Sequence, residues 1–482
     1  MKKNLRSLST ILLLILSLTS SAQKAALSTL LSDSSMMHGS LSLYAADTRT
    51  GDIVLESNPV KSLIPASILK LVTSAAAIEM LGPDYTFKTT LAYTGTLNRN
   101  TGRLTGDIII KGGGDPAFLS KRFEDHYKDL LSTWIAEIKK AGITKVEGRV
   151  ITDDSRYDYQ PVPAKWLWED LGNYYGAGAY GLSVFENTYE IHLNRSSGSY
   201  TPVISDIVPT ECRSELSNWL ISEGTSDKGF VFAAPYGKEG WMAGTVPADL
   251  NDFYLEASVS DPPLLFASIL NSMLEKDGIS TAEEPSTTRL LKKEEISGYV
   301  TIADAVSPPL SLIIEALNHE SINLYAEHLL KELGKKFRNN GSTASGLEVI
   351  TEFLLKAGID MSGMFIEDGS GLSPLNSVNA REMSGLLIYM KEKGSYFNDY
   401  FSSLPSAGKE GTLKNYFRDQ VFESRLNAKS GSMTRVRSYA GYITTLKGRN
   451  IAFSVIINNY TGPSRLIISS IENIIKEIIL YN

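Results

Sequence analysis

Cysteine is nearly absent from this sequence: Cys212 is the only one among 482 residues. A single cysteine excludes an intramolecular disulfide, and with it a small secreted domain that disulfides hold together. Cys212 has no paired base in its sequence context, so we expect a buried small side chain rather than a nucleophile. The five histidines show neither metal-ligand spacing nor the order of a catalytic triad, so they predict no metal site.

An excess of positive charge is also missing. The chain has 47 Lys and Arg residues against 54 Asp and Glu residues, a formal net charge of −7, and it contains no basic tract. Binding to phosphate backbones needs clustered cations, so we expect no nucleic-acid partner. Long apolar runs are missing as well, because no segment after the N-terminus reaches membrane-spanning length without charges. We therefore expect no integral membrane segment in the mature chain.

The N-terminus has the features of a secretory signal peptide. A basic start with Lys2 and Lys3 is followed by an apolar run from Ile11 to Leu18 and by the small residues Ser20-Ser21-Ala22. The run is too short to span a bilayer, and we expect cleavage after Ala22. An exported chain that avoids cysteine fits a bacterial periplasm. Residues 1–22 are therefore predicted to be a signal peptide and the mature protein to be periplasmic.

The remaining chain has 43% apolar residues and is long enough for roughly two to four domains. Alternating apolar residues predict a β-hairpin over residues 41–56, and Pro65 followed by an apolar run predicts a buried helix. The pattern further predicts one helix from Phe118 to Ala141 and mostly β-structure from Val184 to Val259. A stripe of isoleucines from Ile467 to Ile478 predicts a terminal helix that packs on a sheet.

The helix after Pro65 begins with a candidate catalytic pair. Ser67 and Lys70 are three positions apart, which places their side chains on one helix face within reach of each other. A serine beside an amine in a dry site is a candidate nucleophile with its own base. Alone the pair is weak, because Ser and Lys are common residues. The alternative is an ordinary helix serine beside a solvated lysine.

Two later motifs turn this pair into a specific set: Ser321-Ile322-Asn323 and Lys429-Ser430-Gly431. Acylation of a serine needs an alcohol, a base, a proton path to the leaving group and donors for the oxyanion. Ser67 supplies the alcohol, and Lys70 is its base if burial and a nearby cation such as Lys429 keep the amine neutral. Ser321 passes a proton between that amine and the departing nitrogen. Asn323 holds the substrate amide and Lys70 in register.

In this order, the three motifs resemble those of the penicillin-binding proteins and serine β-lactamases. The long interval between Lys70 and Ser321 is similar to that of the class C low-molecular-mass penicillin-binding proteins, the D-alanyl-D-alanine carboxypeptidases and endopeptidases, which have extra domains inserted there. Further stretches that look like this family are Asp368-Gly369-Ser370-Gly371-Leu372-Ser373 and Gly244-Thr245-Val246-Pro247. The resemblance covers essentially the mature chain.

The resemblance implies an α+β fold with a transpeptidase-like domain, in which an antiparallel sheet lies between helices, and with inserted α/β and mostly β domains. It assigns residues 23–86 and 296–482 to the DD-peptidase domain. Residues 87–183 and 260–295 are assigned to the inserted α/β domain, and residues 184–259 to a small, mostly β subdomain.

The same resemblance implies the roles of the site residues. Ser67 is acylated, Lys70 activates it, and the backbone N–H groups of Ser67 and Ser432 form the oxyanion hole. Lys429 and the strand that follows it face the terminal carboxylate of a D-Ala-D-Ala stem peptide. The substrate-binding residues of that strand are Ser430, Gly431, Ser432 and Met433. Water then releases the acyl-enzyme, so no metal and no organic cofactor are required. The implied partners are peptidoglycan stem peptides as substrates and β-lactam antibiotics as covalent inhibitors.

The sequence departs from the family pattern at two positions. Pro374 stands where an arginine often follows the Asp-Gly-Ser-Gly-Leu-Ser stretch, which leaves open the preferred third residue of the stem peptide. Ser430 replaces the commoner threonine and keeps its hydroxyl. Asp153 and Tyr157 fall where relatives line the pocket for the substrate side chain, so they are further candidate binding residues.

Two other functions are compatible with the same motifs. A serine β-lactamase-like hydrolase would use the same acylation but release the acyl-enzyme quickly. A catalytically inactive peptidoglycan-binding or scaffold protein would keep the motifs for structural reasons. Acylation by penicillin, and its lifetime, separate these alternatives from a DD-peptidase.

Overall fold

The structure is a computed structural model, and it describes residues 23–196, 198–212, 215–251 and 253–482. The predicted signal peptide, residues 1–22, lies outside the described residues. Within the described residues, no helix is both long and apolar enough to cross a membrane. Cys212 is a free, buried cysteine, as expected, and burial raises the pKa of its thiol to about 12.

The chain alternates between short strands and helices. The strands are β1 Ser40–Asp47, β2 Ile53–Ser57, β3 Lys88–Tyr93, β4 Thr96–Asn98, β5 Arg103–Thr105, β6 Ile108–Lys111, β7 Lys145–Val146, β8 Val150–Asp153, β9 Thr188–Asn194, β10 Val203–Val208, β11 Glu215–Ser222, β12 Lys228–Ala233, β13 Glu239–Val246, β14 Tyr254–Ser258, β15 Ser280–Thr281, β16 Ser286–Thr287, β17 Val300–Val306, β18 Leu426–Met433, β19 Val436–Thr444 and β20 Asn450–Asn458.

Residues 23–32 are helical. The helices after them are α1 Lys70–Leu81, α2 Glu124–Tyr127, α3 Leu130–Lys140, α4 Pro262–Lys276, α5 Leu310–Glu320, α6 Asn323–Arg338, α7 Thr343–Lys356, α8 Ala380–Lys393, α9 Phe397–Ser402 and α10 Ser464–Tyr481. The chain forms two compact units. Among the described residues, unit 1 comprises residues 23–83, 314–322 and 349–482, and unit 2 comprises residues 84–313 and 323–348. The domain boundaries expected from the sequence stay a prediction.

Unit 1 is built on a five-stranded antiparallel sheet in the order β18-β19-β20-β1-β2. Strand β1, from the beginning of the chain, pairs with β20, from its end, so that Leu43 lies opposite Val455. Alternate side chains of a strand point to opposite faces. Leu41 and Leu43 therefore pack against the isoleucine stripe of α10, while Ser42 accepts a hydrogen bond from the first residue of α8. The predicted terminal helix on a sheet is confirmed.

The apolar run after Pro65 begins as a 3₁₀ turn and continues as an α-helix. The turn covers Ala66–Leu69, and α1 follows from Lys70 until Gly82, whose φ of 89° ends the helix. All residues of α1 from Lys70 to Ile78 are buried. The predicted buried helix is therefore present, but Ser67 lies in the tighter 3₁₀ turn that precedes it.

Unit 2 contains four sheets. The five-stranded sheet β16-β8-β6-β3-β17 and the four-stranded sheet β15-β7-β5-β4 mix parallel and antiparallel pairs, and they share a core with α3 and α4. Two three-stranded sheets, β10-β9-β14 and β11-β13-β12, enclose a separate core.

The prediction of one helix from Phe118 to Ala141 is wrong. Asp129 has a left-handed φ of 58°, a value that Asp tolerates better than most residues. A right-handed helix cannot continue through this conformation, so α2 and α3 are separate.

Candidate active site

Ser67 and Lys70 form the first hydrogen-bonded pair of the candidate site. The Lys70 Nζ donates to the Ser67 Oγ over 3.0 Å and to the backbone oxygen of Ser370 over 2.8 Å. The Lys70 side chain is fully buried, whereas Ser67 is partly exposed. An alcohol within hydrogen-bond reach of a buried amine has the geometry of a nucleophile and its base.

Two residues of the candidate site have a strained backbone conformation. Ala66, directly before Ser67, has a φ of 49°, and Ser321 has a φ of 62°. Residues other than glycine rarely adopt such values, and they persist only where the surrounding structure imposes them. Here Gly371 packs against the Ala66 carbonyl so closely that a Cβ at Gly371 would lie 2.1 Å from that oxygen. Such strained positions cluster at functional sites, which agrees with the assignment of Ser67.

Ser321 and Lys429 form a second pair in the same unit. The Lys429 Nζ donates to the Ser321 Oγ over 2.8 Å and to the backbone oxygen of the next residue, Ser430, over 2.9 Å. Lys429 is fully buried. Burial, and secondly the positive charge of nearby Lys70, lower the pKa of the Lys429 amine well below its ordinary value. The two amines are therefore neighbours, as the sequence predicts, and the site disfavours charging both.

The substrate-binding residues expected from the sequence lie on β18, the edge strand of the sheet. The Ala428 N–H points away from β19 and donates to the Pro405 oxygen. Because N–H direction alternates along a strand, the N–H groups of Ser430 and Ser432 point toward the same edge. Ser432 is exposed and Met433 is half-buried. An edge of this kind can pair with an extended peptide.

Gly431 brings this edge strand against Ser67. A Cβ at Gly431 would lie 2.9 Å from the Ser67 nitrogen and 2.7 Å from the Pro65 oxygen. Both atoms belong to the backbone, so they cannot move aside as a flexible side chain can. Glycine at this position therefore allows β18 and the 3₁₀ turn of Ser67 to approach each other.

Gly431→Ala is expected to slow acylation by at least about a hundredfold, because shifts of about 1 Å in a catalytic site have effects of that size. The rate of labelling by a fluorescent penicillin measures the effect. Gly385→Ala is the matched control: it lies within α8, where an added Cβ meets only Ile359 at 3.4 Å, and it should label normally. Labelling of Gly431→Ala at the wild-type rate would contradict the close approach.

A buried carboxylate organises the loop beside Lys70. Asp368 is fully buried and accepts hydrogen bonds from the Gly371 and Ser373 N–H groups over 2.8 and 2.7 Å. It also accepts one from the Asn376 Nδ2 over 2.8 Å. The loop also contacts α1: its Gly369 oxygen accepts a hydrogen bond from the Thr73 hydroxyl over 2.6 Å. The Asp368 carboxylate thereby fixes the loop that presents the Ser370 oxygen to Lys70.

The other expected site residues belong to unit 2. Asn323 is the first residue of α6, and its Nδ2 donates to the Tyr175 backbone oxygen over 2.8 Å. Asp153 is buried and accepts from the Ser155 and Ile296 N–H groups. Tyr157 is buried as well.

The Tyr157 hydroxyl donates to the Glu332 carboxylate over 2.9 Å. Burial, and secondly the Glu332 charge, raise the pKa of Tyr157 well above its ordinary value. Asp153 and Tyr157 are thus bonded inside unit 2.

Two contacts of the site were not expected from the sequence. The Ser430 Oγ donates to the Thr412 Oγ1 over 2.8 Å, and the Ser370 backbone oxygen accepts from Lys70. Thr412 lies in a 3₁₀ turn, Gly411–Leu413, in a segment without periodic pattern. No sequence signal identifies Thr412, whereas Ser370 lies in the Asp-Gly-Ser-Gly-Leu-Ser stretch. Pro374, at the end of that stretch, is half-buried. In the described residues, no group of three His, Cys, Asp or Glu side chains has the geometry of a metal site.

The sequence profile of the D-Ala-D-Ala carboxypeptidase 3 (S13) family matches residues 23–476. The chain belongs to this family. It is 29% identical over 439 residues to a D-alanyl-D-alanine carboxypeptidase of an Actinomadura species, covering 88% of this chain and 78% of that protein. It is 24% identical over 431 residues to the D-alanyl-D-alanine carboxypeptidase DacB of Haemophilus influenzae, covering 86% of this chain and 85% of that protein.

The fold of this family member matches that of solved relatives. The crystal structure of penicillin binding protein 4 from Haemophilus influenzae is similar with a TM-score of 0.77 at 22% identity, covering 91% of this chain and 95% of that one. The same protein complexed with a β-lactam is similar with a TM-score of 0.75 at 22% identity, covering 92% and 97%. The predicted family, the predicted α+β fold class and the predicted class of enzyme, a serine-type D-Ala-D-Ala carboxypeptidase, are confirmed.

Proposed function

We propose that this carboxypeptidase hydrolyses peptidoglycan stem peptides through an acyl-enzyme on Ser67. The Ser67 Oγ attacks the carbonyl carbon of the penultimate D-alanine while the Lys70 amine takes its proton. The C–N bond of the tetrahedral intermediate then breaks, and the departing nitrogen receives a proton. Water attacks the resulting ester and returns Ser67 to its free form. The observation that carries the proposal is the 3.0 Å contact between the Lys70 Nζ and the Ser67 Oγ.

Ser321 is suited to carry the proton to the leaving nitrogen, because its hydroxyl accepts from a buried amine, that of Lys429, over 2.8 Å. Asn323 follows Ser321 by two positions, and we assign it to holding the substrate amide. Its Nδ2 already donates to the Tyr175 oxygen, which orients the Asn323 amide group. These roles rest on the motif and on hydrogen bonds within each unit.

The backbone N–H groups of Ser67 and Ser432 are assigned to the oxyanion hole. The close approach of Gly431 to the Ser67 nitrogen, together with the edge-facing N–H of Ser432, supports this assignment. We assign the Ser430 and Ser432 hydroxyls, with Lys429, to the terminal carboxylate of the substrate. Gly431 and Met433 complete the strand on which an extended stem peptide would lie. Because Asp153 and Tyr157 are buried and bonded inside unit 2, we assign them a structural role.

The remaining parts of the proposal concern location and partners. The N-terminal sequence supports export through a signal peptide to the periplasm. β-Lactams are proposed as covalent inhibitors of Ser67, because a relative of the same fold has been solved in complex with one. Cross-linked peptides are proposed as a second substrate class, which would make the enzyme an endopeptidase as well.

Ser67→Ala is expected to abolish labelling by a fluorescent penicillin, because it removes the hydroxyl that contacts the Lys70 amine. Intact-mass analysis of the wild-type protein should show one penicilloyl group on the peptide that contains Ser67. Ser470→Ala changes a serine of α10 whose hydroxyl donates to the Leu466 oxygen, and as the control it should label fully. Labelling of Ser67→Ala would show that Ser67 is not the nucleophile. Absence of labelling in the wild-type protein would favour the catalytically inactive scaffold.

The lifetime of the label and the products then define the reaction. A label that persists supports a DD-peptidase, whereas rapid release of penicilloate supports the β-lactamase-like alternative. Mass analysis of purified muropeptides, with and without cross-links, separates loss of a terminal alanine from cleavage of the cross-link. Loss of terminal alanine alone would remove the endopeptidase part of the proposal.

A further inference from the structure

One face of the sheet β11-β13-β12 carries five aromatic side chains that contact one another. Trp241 of β13 is central, and its ring stacks on that of Phe232 in β12 with centroids 5.3 Å and planes 12° apart. Trp219 of β11 and Trp168, from the segment after β8, each have their ring centroid 6.1 Å from that of Trp241. Phe230 continues the row, 6.4 Å from Phe232. These five side chains are called the aromatic face below.

The aromatic face is open to solvent, while the other side of the same sheet is buried. Trp219 is 63% exposed, Trp168 48% and Phe230 36%. Leu220 and Met242, one position along β11 and β13, point the other way into the core between the two small sheets. A sheet with one solvated face usually carries polar side chains there. Contiguous exposed aromatic side chains at those positions are typical of a binding surface.

The register of the strands gives the aromatic face a depression. Ala243 of β13 lies opposite Trp219 on one side and opposite Phe230 on the other. Neighbouring strands are about 4.8 Å apart, so the small Ala243 methyl group lies between two large rings. A flat ring lying over Ala243 would contact both aromatic walls. The depression is therefore suited to a ring-shaped ligand rather than to a bulky, round side chain.

The chemistry of this surface selects a neutral, partly polar ring. The five aromatic residues and Ala243 carry no charge, and the hydroxyl residues Ser217 and Thr245 occupy outward positions of the same sheet face. Among the paired residues of the three strands, the charged side chains on this face stand at the strand ends, at Glu215, Glu239 and Lys228. Aromatic faces carry partial negative charge and attract the C–H groups of a sugar ring, whose hydroxyl and acetamido groups then bond to polar neighbours.

We propose that the aromatic face binds an N-acetylated glycan strand, with one sugar ring over Ala243 and further rings on Trp241 and Trp168. The choice of glycan rests on the proposed function, because the stem peptides of peptidoglycan are attached to such strands. The site itself uses none of the residues that acylation requires. Binding of glycan and acylation by penicillin are therefore measured separately, and either can fail without the other.

Calorimetric titration with tetra-N-acetylchitotetraose, a neutral β-1,4-linked tetramer, tests the proposal on the mature protein. We expect saturable binding of the tetramer and none of maltotetraose, which lacks acetamido groups. The chain has five tryptophans, of which Trp134 and Trp166 are buried. The other three are on the aromatic face, so they dominate any change in tryptophan fluorescence on binding. Their emission should shift to shorter wavelength as the sugar displaces water.

Two variants locate the binding. Trp219→Ala removes an exposed wall, and Ala243→Leu fills the depression while keeping every tryptophan; each should weaken binding at least tenfold. Tyr254→Ala, an aromatic residue 44% exposed on the neighbouring sheet, is the control and should bind as the wild type does. Normal penicillin labelling of all three variants shows that they are folded.

Three results would overturn the proposal. The first is absence of tetramer binding by protein that penicillin labels normally. The second is binding that neither Trp219→Ala nor Ala243→Leu weakens. The third is a wild-type dimer in sedimentation velocity that Ala243→Leu dissociates, since the aromatic face would then be covered by a second copy of the chain.

Discussion

Lys70→Met is expected to lower the rate of acylation by penicillin by about 10²- to 10⁴-fold, because a positioned general base contributes about that much. Methionine has nearly the same length and volume as lysine, so it fills the buried space without an amine. The Ser67 Oγ then loses the amine that contacts it, and the Ser370 oxygen loses a donor. The time course of fluorescent-penicillin labelling under single-turnover conditions measures the rate.

The fold of Lys70→Met should survive, because the loss of the hydrogen bond to the Ser370 oxygen, about 1–3 kcal/mol, is offset in part by removal of a buried amine. The thermal unfolding midpoint by circular dichroism checks this. Lys61→Met is the matched control, since Lys61 is exposed in the same unit and its Nζ donates to the Ser40 hydroxyl. Near-normal acylation in a folded Lys70→Met protein would remove Lys70 from the mechanism.

The sequence predicted that Ser67 lies beside Lys70, and it placed Ser321 and Lys429 in the same candidate site, but it did not predict the backbone that holds them. Ser67 and Lys70 are three residues apart, so any helical turn brings them together. Ser321 and Lys429 are 108 positions apart and meet only in the folded chain, and a contact over such a distance leaves no local signal. The motif order, rather than periodicity, made the second pair predictable.

The structural features that the sequence did not predict share a physical cause. The 3₁₀ turn at Ser67, the left-handed Asp129 that separates α2 from α3, and Thr412 all lie in backbone that has no regular period. Periodicity predicts which face of a regular element is buried, as it did for the isoleucines of α10. It carries no information about residues whose position depends on tertiary contacts.

Asp368→Ala is expected to destabilise unit 1 by about 3–5 kcal/mol, because three buried donors lose their acceptor and each costs about 1–3 kcal/mol, with relaxation of the loop recovering part of it. The donors are the Gly371 N–H, the Ser373 N–H and the Asn376 Nδ2. A lower unfolding midpoint in urea, followed by circular dichroism, measures the loss. Asp368→Asn keeps one acceptor oxygen and should lie between Asp368→Ala and the wild type.

Asp360→Ala is the matched control for Asp368→Ala. The Asp360 carboxylate also accepts from a backbone N–H and a hydroxyl, both of Ser362, but these bonds are exposed to water. Water replaces an exposed acceptor in part, so the change should be about 1 kcal/mol, as is typical for the loss of an N-cap side chain. A loss in Asp360→Ala as large as in Asp368→Ala would show that burial of the carboxylate is not the cause.

Acylation separates a positioning role of Asp368 from a purely structural one. The Asp368 loop presents the Ser370 oxygen to the Lys70 Nζ and the Gly369 oxygen to Thr73. If the loop orients Lys70, acylation of Asp368→Ala should fall by about a hundredfold even at temperatures where the protein is fully folded. If acylation at those temperatures stays at the wild-type rate while the unfolding midpoint drops, Asp368 stabilises the loop without positioning the base. Partial recovery of the acylation rate in Asp368→Asn would tie the rate to the same hydrogen bonds that hold the loop.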